Sequence, residues 1–153
     1  MKPTRPAVLL AVAAAAGLVA YVIVRGVYDS LPPLPRIAPV SLLLIAVAEA
    51  ALAVGTRNRL AGRVGTKPID PLLVARYAAL AKASSLVGAL ATGAYAGLLG
   101  YVLPLRSADE PRSDAWVSTL GVVAGLGLVA AAYALERVCR VKAPPPDPPG
   151  GAA

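Results

Sequence analysis

The chain alternates between four long apolar runs and short polar segments. One uncharged stretch, residues 83–103, would form a helix of roughly 32 Å, about the thickness of the hydrocarbon core of a bilayer. A soluble core has no use for four such runs, whereas a membrane requires them. The pattern therefore predicts an all-α integral membrane four-helix bundle, with spans at about residues 7–28, 37–56, 77–103 and 115–136.

The polar segments predict where these spans begin and end. Asp70 followed by Pro71 is typical of a helix start, with Asp as the N-cap and Pro at the first helical position. A helix that runs from there to Leu103 would be too long to lie wholly inside a bilayer. Residues 104–114 are polar and are predicted to form a loop, with Trp116 as the interfacial anchor of the fourth span.

The two ends of the chain require separate interpretation. A cleaved signal peptide is the alternative for the first run. However, its 18 uncharged residues, 7–24, exceed a typical signal-peptide core, and no clear small-x-small cleavage site follows. We therefore predict an uncleaved first span. Residues 1–142 are expected to form the transmembrane domain, and the proline- and glycine-rich residues 143–153 a disordered tail.

The net charge of +7 indicates membrane topology rather than nucleic-acid binding. The basic residues stand at the ends of apolar runs without interleaved aromatics, which favours anionic lipid headgroups as their counter-charge. Eleven of the 15 Lys and Arg residues fall on the side with both termini and the central loop. The positive-inside rule therefore places that side in the cytoplasm of a bacterium, with the spans in its plasma membrane. The residues expected to contact anionic lipid or a protein partner, or else only to set topology, are Arg57, Arg59, Arg63, Lys67 and Arg76.

Few residues are suited to catalysis or metal binding. The absence of histidine removes the usual general base and the commonest metal ligand. The single cysteine, Cys139, excludes an intramolecular disulfide and is expected to be incidental rather than lipidated. Lys82 with Ser84 or Ser85 could form a Ser–Lys nucleophile pair, but these positions diverge around a helix and no oxyanion-hole segment is evident. We therefore predict no catalytic, cofactor-binding or metal site.

Glu49 is the one acid in the middle of an apolar run. A carboxylate at that depth costs a few kcal/mol unless it is paired or protonated, and such residues often mark ion paths or proton relays. We hypothesise an intramembrane polar cluster in which Glu49 is ionised and pairs with Lys82 on the neighbouring helix, assisted by Ser84 or Ser85. A transport or proton role, and extension of the side chain to the interface, remain alternatives.

Two glycine pairs have the spacing of helix-packing motifs, Gly93 with Gly97 and Gly121 with Gly125. Glycine lets two helix backbones approach closely inside a membrane. Unless glycine is merely frequent in this Ala- and Gly-rich chain, we expect the pairs to join the third and fourth spans. The same surfaces could instead form a homodimer.

Four segments of the chain are informative as a set. They are the opening MKPTRP, the loop SLPPLP, the stretch LLLIAVAEAALAVGTRNRL and, most specific, KPIDPLLVARYAALAKASSLVGALATGAYAGLL. These segments resemble an actinobacterial family of small membrane proteins, domain of unknown function 3180. The resemblance covers nearly the whole chain except the tail, and it implies a four-span protein of the cytoplasmic membrane. It implies no activity, substrate or catalytic residue.

Together these features predict a non-enzymatic accessory or scaffold subunit, with another membrane protein or a second copy of the chain as its partner. The first rival is a small transporter or ion-coupled channel component that uses Glu49, although the polar residues of the spans lie at different depths. The second rival is a membrane enzyme, which the missing histidine disfavours.

Overall fold

The computed structural model describes residues 5–30, 35–61, 71–105 and 109–140. Arg63 and Lys67, the predicted lipid-contacting residues of the central loop, and the tail 143–153 lie outside the described residues. The described part contains no strand and is built from four helices, which confirms the all-α prediction. They are α1 (Pro6–Val27), α2 (Ile37–Leu60), α3 (Pro71–Val102) and α4 (Asp109–Arg140), with short 3-10 helices at Tyr28–Ser30 and Leu103–Leu105.

All four helices are long and apolar enough to cross a membrane. α1 and α3 begin at a proline, Pro6 and Pro71, where the missing N–H has no intrahelical partner to lose. The predicted start of α3 is therefore confirmed. The prediction of a loop over residues 104–114 is wrong for its second half, because α4 already begins at Asp109. The sequence DEP there is typical of a first helical turn, since acidic residues suit the positive end of the helix dipole and proline costs little.

The helices pack in the order α1–α3–α4–α2. α3 and α4 form a central antiparallel pair, because Gly88 lies opposite Gly125, and Gly121 lies opposite Tyr95. α1 runs parallel to α3 along one side of this pair. α2 lies along α4 on the other side, and packing of α2 against α3 is slight by comparison. The chain thus forms a broad bundle in which each outer helix lies mainly along one central helix.

The two ends of the bundle differ in composition. The end that holds Arg57, Arg76 and Arg140 is called the basic end here, and the end that holds Tyr28 and Tyr101 the tyrosine end. At the basic end, side chains from α2, α3 and α4 form one buried cluster of Ala53, Ala78, Ala81, Leu135 and Cys139. At the tyrosine end, a second cluster joins α1 to α3 through Val24, Leu98 and Val102.

Candidate functional site

Glu49 is the most unusual side chain in the described part of the bundle. It lies near the midpoint of α2, roughly 16 Å from the end of that helix at Leu60, and only 3% of the residue is exposed. Neither carboxyl oxygen has a hydrogen-bond partner among the described residues. The hydroxyl of Ser84 faces this carboxyl from α3, but it does not complete a hydrogen bond of normal geometry. An ionised carboxylate in such a place is costly, and the cost falls when the group is paired with a cation or is protonated.

The predicted ion pair between Glu49 and Lys82 is absent from the structure, so that hypothesis is wrong. The physical reason is the packing of α2, which lies mainly along α4 and, where it meets α3, turns Glu49 towards Ser84. Ala53, one turn from Glu49, already packs at the level of Ala78 and Ala81. Glu49 therefore lies at the level of Ser84, deeper in the bundle than Lys82.

The two serines of the predicted cluster separate into different roles. Ser84 and Ser85 are both buried. Ser85 donates its hydrogen bond to the carbonyl oxygen of Lys82 at 2.8 Å, within its own helix. Ser85 therefore does not join Lys82 to Glu49 as predicted, and Ser84 is the member of the cluster that the fold brings to the carboxyl.

Gly93 and Gly97 form the seam with α1, not with α4 as predicted. A Cβ atom added at Gly93 would overlap the carbonyl oxygen of Ala13, and one added at Gly97 would overlap that of Gly17. The reverse approach is also tight, since a Cβ at Gly17 would lie 3.0 Å from the carbonyl oxygen of Gly93. Helix α1 therefore seats directly on the backbone of α3.

Gly121 and Gly125 do face α3, but on a different side of that helix. A Cβ added at Gly121 would overlap the ring of Tyr95, and one at Gly125 would lie 2.5 Å from the hydroxyl of Thr92. Gly88 completes this seam, because its Cβ would lie 3.0 Å from the carbonyl oxygen of Gly125. Both glycine pairs are thus covered within one chain, which removes the surfaces on which a homodimer was envisaged.

A polar contact at the tyrosine end was missed by the sequence analysis. The hydroxyl of Tyr28 donates a hydrogen bond of 3.0 Å to a carboxylate oxygen of Asp114, which is 8% exposed. Tyr28 also packs against Tyr101, with ring centroids 5.2 Å apart. The contact ties the end of α1 to α4. An acid within the first turns of a spanning helix would have indicated such a contact. The sequence analysis missed it because it placed the start of the fourth span after Asp114.

A third buried acid, Glu136 on α4, was not singled out by the sequence analysis. It is only 4% exposed and lies beside Leu135 in the basic-end cluster. The antiparallel register of α3 and α4, which sets Gly88 against Gly125 and Tyr95 against Gly121, brings Lys82 to the level of Glu136. Neither residue is without an interaction partner. We therefore expect Glu136, rather than Glu49, to be the acid that acts on Lys82.

The remaining predicted lipid contacts lie at the basic end. Arg57, Arg59 and Arg76 are exposed. Of these three, Arg59 lines an open groove of about 500 Å³ beside α2, which small residues of α2 line together with Leu52 and Tyr77. At the tyrosine end, a wider cleft of about 700 Å³ contains Arg36, Arg112 and the exposed Trp116. The arginines are therefore divided between two separate surfaces rather than forming one patch.

These features define the class of the chain as a multi-pass α-helical membrane protein, with four helices able to span a bilayer and packed through small residues. Residues 9–144 match the model of the family described as protein of unknown function (DUF3180), and the chain belongs to this family. No curated protein and no solved structure matches the chain.

Proposed function

We propose that this protein is a non-enzymatic accessory or scaffold subunit of the bacterial cytoplasmic membrane, with its basic end in the cytoplasm. The observation that carries the proposal is the hydrogen bonding of the hydroxyl groups within the spans. Those of Ser41, Ser85, Thr92, Ser118 and Thr119 each donate to a carbonyl oxygen three or four residues earlier in their own helix. Hydroxyls bonded in this way fit into packed helices and are not aligned into a polar path.

The surface of α1 supports a role in binding another membrane protein. Helix α1 uses a narrow face against α3, and only 11% of its span is buried. Its opposite face is apolar and exposed, with the small residues Ala7, Ala11 and Ala15 one turn apart. A partner helix could approach that face closely, in the manner in which α1 itself meets α3.

Copurification of the tagged full chain in mild detergent, after cross-linking in cells, tests the subunit role. We expect a partner in fixed stoichiometry that is lost in Ala11→Leu and Ala15→Leu, because bulky side chains would keep the helices apart. Ala50→Leu, an exposed position on α2, is the matched control and should retain the partner. A chain that stays monomeric in both the parent and the control would contradict the proposal.

Orientation is tested by fused reporters. A reporter that is active only outside the cytoplasm should be inactive after Lys142 and active when inserted near Ala108. The reason is the excess of Lys and Arg on the side that holds both termini. Activity after Lys142 would reverse the proposed orientation or change the number of spans.

The buried carboxyl of Glu49 favours a second candidate, a proton- or ion-coupled role. A carboxyl near the middle of a span, without a hydrogen-bond partner among the described residues, is placed to take up a proton. Proton flux into liposomes that contain the purified chain, compared with the Glu49→Gln variant, tests this role. Flux that requires Glu49 would place this candidate ahead of the subunit role. Equal fluxes in the two proteins would exclude it.

A further inference from the structure

The groove beside α2 at the basic end combines an apolar floor with a charged mouth. Residues of α2 and α3 line it, namely Ala48, Ala51, Leu52, Gly55, Thr56, Arg59 and Tyr77. The floor is open along the helix, since a Cβ added at Gly55 would meet no atom within 4 Å. The groove exists because α2 packs along α4 and leaves a gap towards α3.

The length of the groove matches one leaflet of a bilayer. Ala48 lies near the midpoint of α2 and Arg59 near its end, so the groove extends about 16 Å along the helix axis. Half of a hydrocarbon core is about 15 Å thick, which is the length of one acyl chain. Towards the tyrosine end, no residue of α2 before Ala48 lines the groove, so the groove does not continue across the second leaflet. A transmembrane helix of a partner would need a face that continues through both leaflets.

The polar groups are placed where a headgroup would be. Arg59 is exposed at the mouth, and its guanidinium can bind a phosphate oxygen through two parallel hydrogen bonds. Tyr77 lines the groove from α3 with an aromatic ring, a residue type that favours the membrane interface. The neighbouring Arg57 is also exposed and adds positive charge at the same level.

We infer that this groove binds one anionic phospholipid, with an acyl chain between Ala48 and Gly55 and the phosphate at Arg59. The complementarity of charge favours an anionic lipid over a zwitterionic one, and the length favours a lipid over a helix. The site lies on the opposite side of the bundle from the exposed face of α1, so it stands or falls independently of the proposed subunit role.

The test uses the full chain, purified in detergent, stripped of lipid and titrated with phosphatidylglycerol or with phosphatidylcholine of the same acyl chains. Native mass spectrometry counts the bound lipids. We expect one tightly bound phosphatidylglycerol, and binding weakened roughly tenfold by Arg59→Gln or by Ala51→Leu, which removes the charge or fills the groove. Arg140→Gln and Ala50→Leu, two exposed positions outside the groove, should bind as the parent does.

Three results would overturn the inference. Equal affinity for the two lipids would show unspecific contact with acyl chains. An effect of Arg140→Gln as large as that of Arg59→Gln would show a diffuse response to net charge. Displacement of the lipid by soluble glycerol 3-phosphate at comparable concentration would show a site for free phosphate. Melting curves for every variant separate lost binding from lost folding.

Discussion

The two outer helices of the bundle are held by different means. α1 lies on α3 where the backbones of Ala13 and Gly17 meet Gly93 and Gly97 so closely that no side chain fits between them. α2 turns a mixed face inwards, which buries Ala46, Ala53 and Thr56 together with the carboxyl of Glu49. The first seam depends on shape alone, whereas the second contains a costly polar group.

This difference between the two seams separates the contacts that stabilise the bundle from those that lie beside a binding surface. Lipid tails are as apolar as the side chains of the helices, so close packing, rather than the hydrophobic effect, holds transmembrane helices together. The α1–α3 seam has the geometry that maximises such packing. The α2 seam is less stable because it buries the carboxyl of Glu49 without a hydrogen-bond partner among the described residues. The same seam borders the groove that ends at Arg59. We therefore expect variants of the α1 seam to unfold the bundle and variants of the α2 side to change what it binds.

The largest effect is expected where the α1–α3 seam is broken. Gly93→Leu and Gly97→Leu should each lower the free energy of unfolding in detergent by about 3 kcal/mol or more, because the new side chain overlaps the backbone of α1. Ala94→Leu, at an exposed position, and Gly100→Ala, where the nearest atom to a new Cβ lies 4.0 Å away, are the controls. Equal melting temperatures for all four variants would show that the seam has been misplaced.

The seam between α3 and α4 should give a smaller, graded response. Gly125→Ala brings its methyl group against the backbone nitrogen and hydroxyl of Thr92, and should cost about 1–3 kcal/mol. Gly121→Ala overlaps the ring of Tyr95 at Cγ, an atom that ring rotation does not move, so the Tyr95 side chain must leave its rotamer and the cost should be at least as large. Removing the ring and its Cγ with Tyr95→Ala should rescue Gly121→Ala and leave Gly125→Ala unchanged. Rescue of both variants, or of neither, would contradict this difference.

A double-mutant cycle tests which buried acid, Glu136 or Glu49, interacts with Lys82. Because the register of α3 and α4 brings Lys82 to the level of Glu136, Lys82→Met and Glu136→Gln should couple by about 1 kcal/mol in the free energy of unfolding. Lys82→Met with Glu49→Gln should be additive, since Glu49 makes no ion pair with Lys82. Coupling between Lys82 and Glu49, rather than Glu136, would restore the original pairing hypothesis.

The smallest effect is expected at the tyrosine end. Tyr28→Phe removes the hydrogen bond to Asp114 but keeps the ring against Tyr101, so it should cost about 0.5–1.5 kcal/mol. Tyr21→Phe keeps its edge-on ring contact with Tyr101 and is the matched control. Thermal melting of the two variants in the same detergent gives the comparison. If Tyr21→Phe lowers the stability as much as Tyr28→Phe does, the hydrogen bond to Asp114 does not stabilise the bundle.

The glycine pairs show what a packing motif in the sequence predicts about the fold and what it does not. The spacing of Gly93 with Gly97 and of Gly121 with Gly125 indicated close helix packing. A neighbouring backbone does approach at Gly93, Gly97 and Gly125, whereas Gly121 faces the ring of Tyr95. The neighbours were assigned wrongly for the first pair. A small residue shows that a helix surface is flat, but it carries no information about which of three other helices will lie there.

Glu49 illustrates the same division for the candidate site. Its depth and its cost follow from its position within an apolar run, so the sequence marked it as the residue to follow. Its supposed partner came from the assumption that helices adjacent in sequence are adjacent in space. In the fold, α4 takes the place beside α2, and Lys82 lies on a different level from the carboxyl.

The sequence by itself determined that the chain has four helices able to span a membrane, because the length and polarity of each run are local properties that the bilayer reads directly. It also determined the family. Only the tertiary structure decided the order α1–α3–α4–α2, the burial of Asp114 and Glu136, and the groove at Arg59. These features depend on which helix faces fit together, and that fit is a matter of shape between segments far apart in the chain.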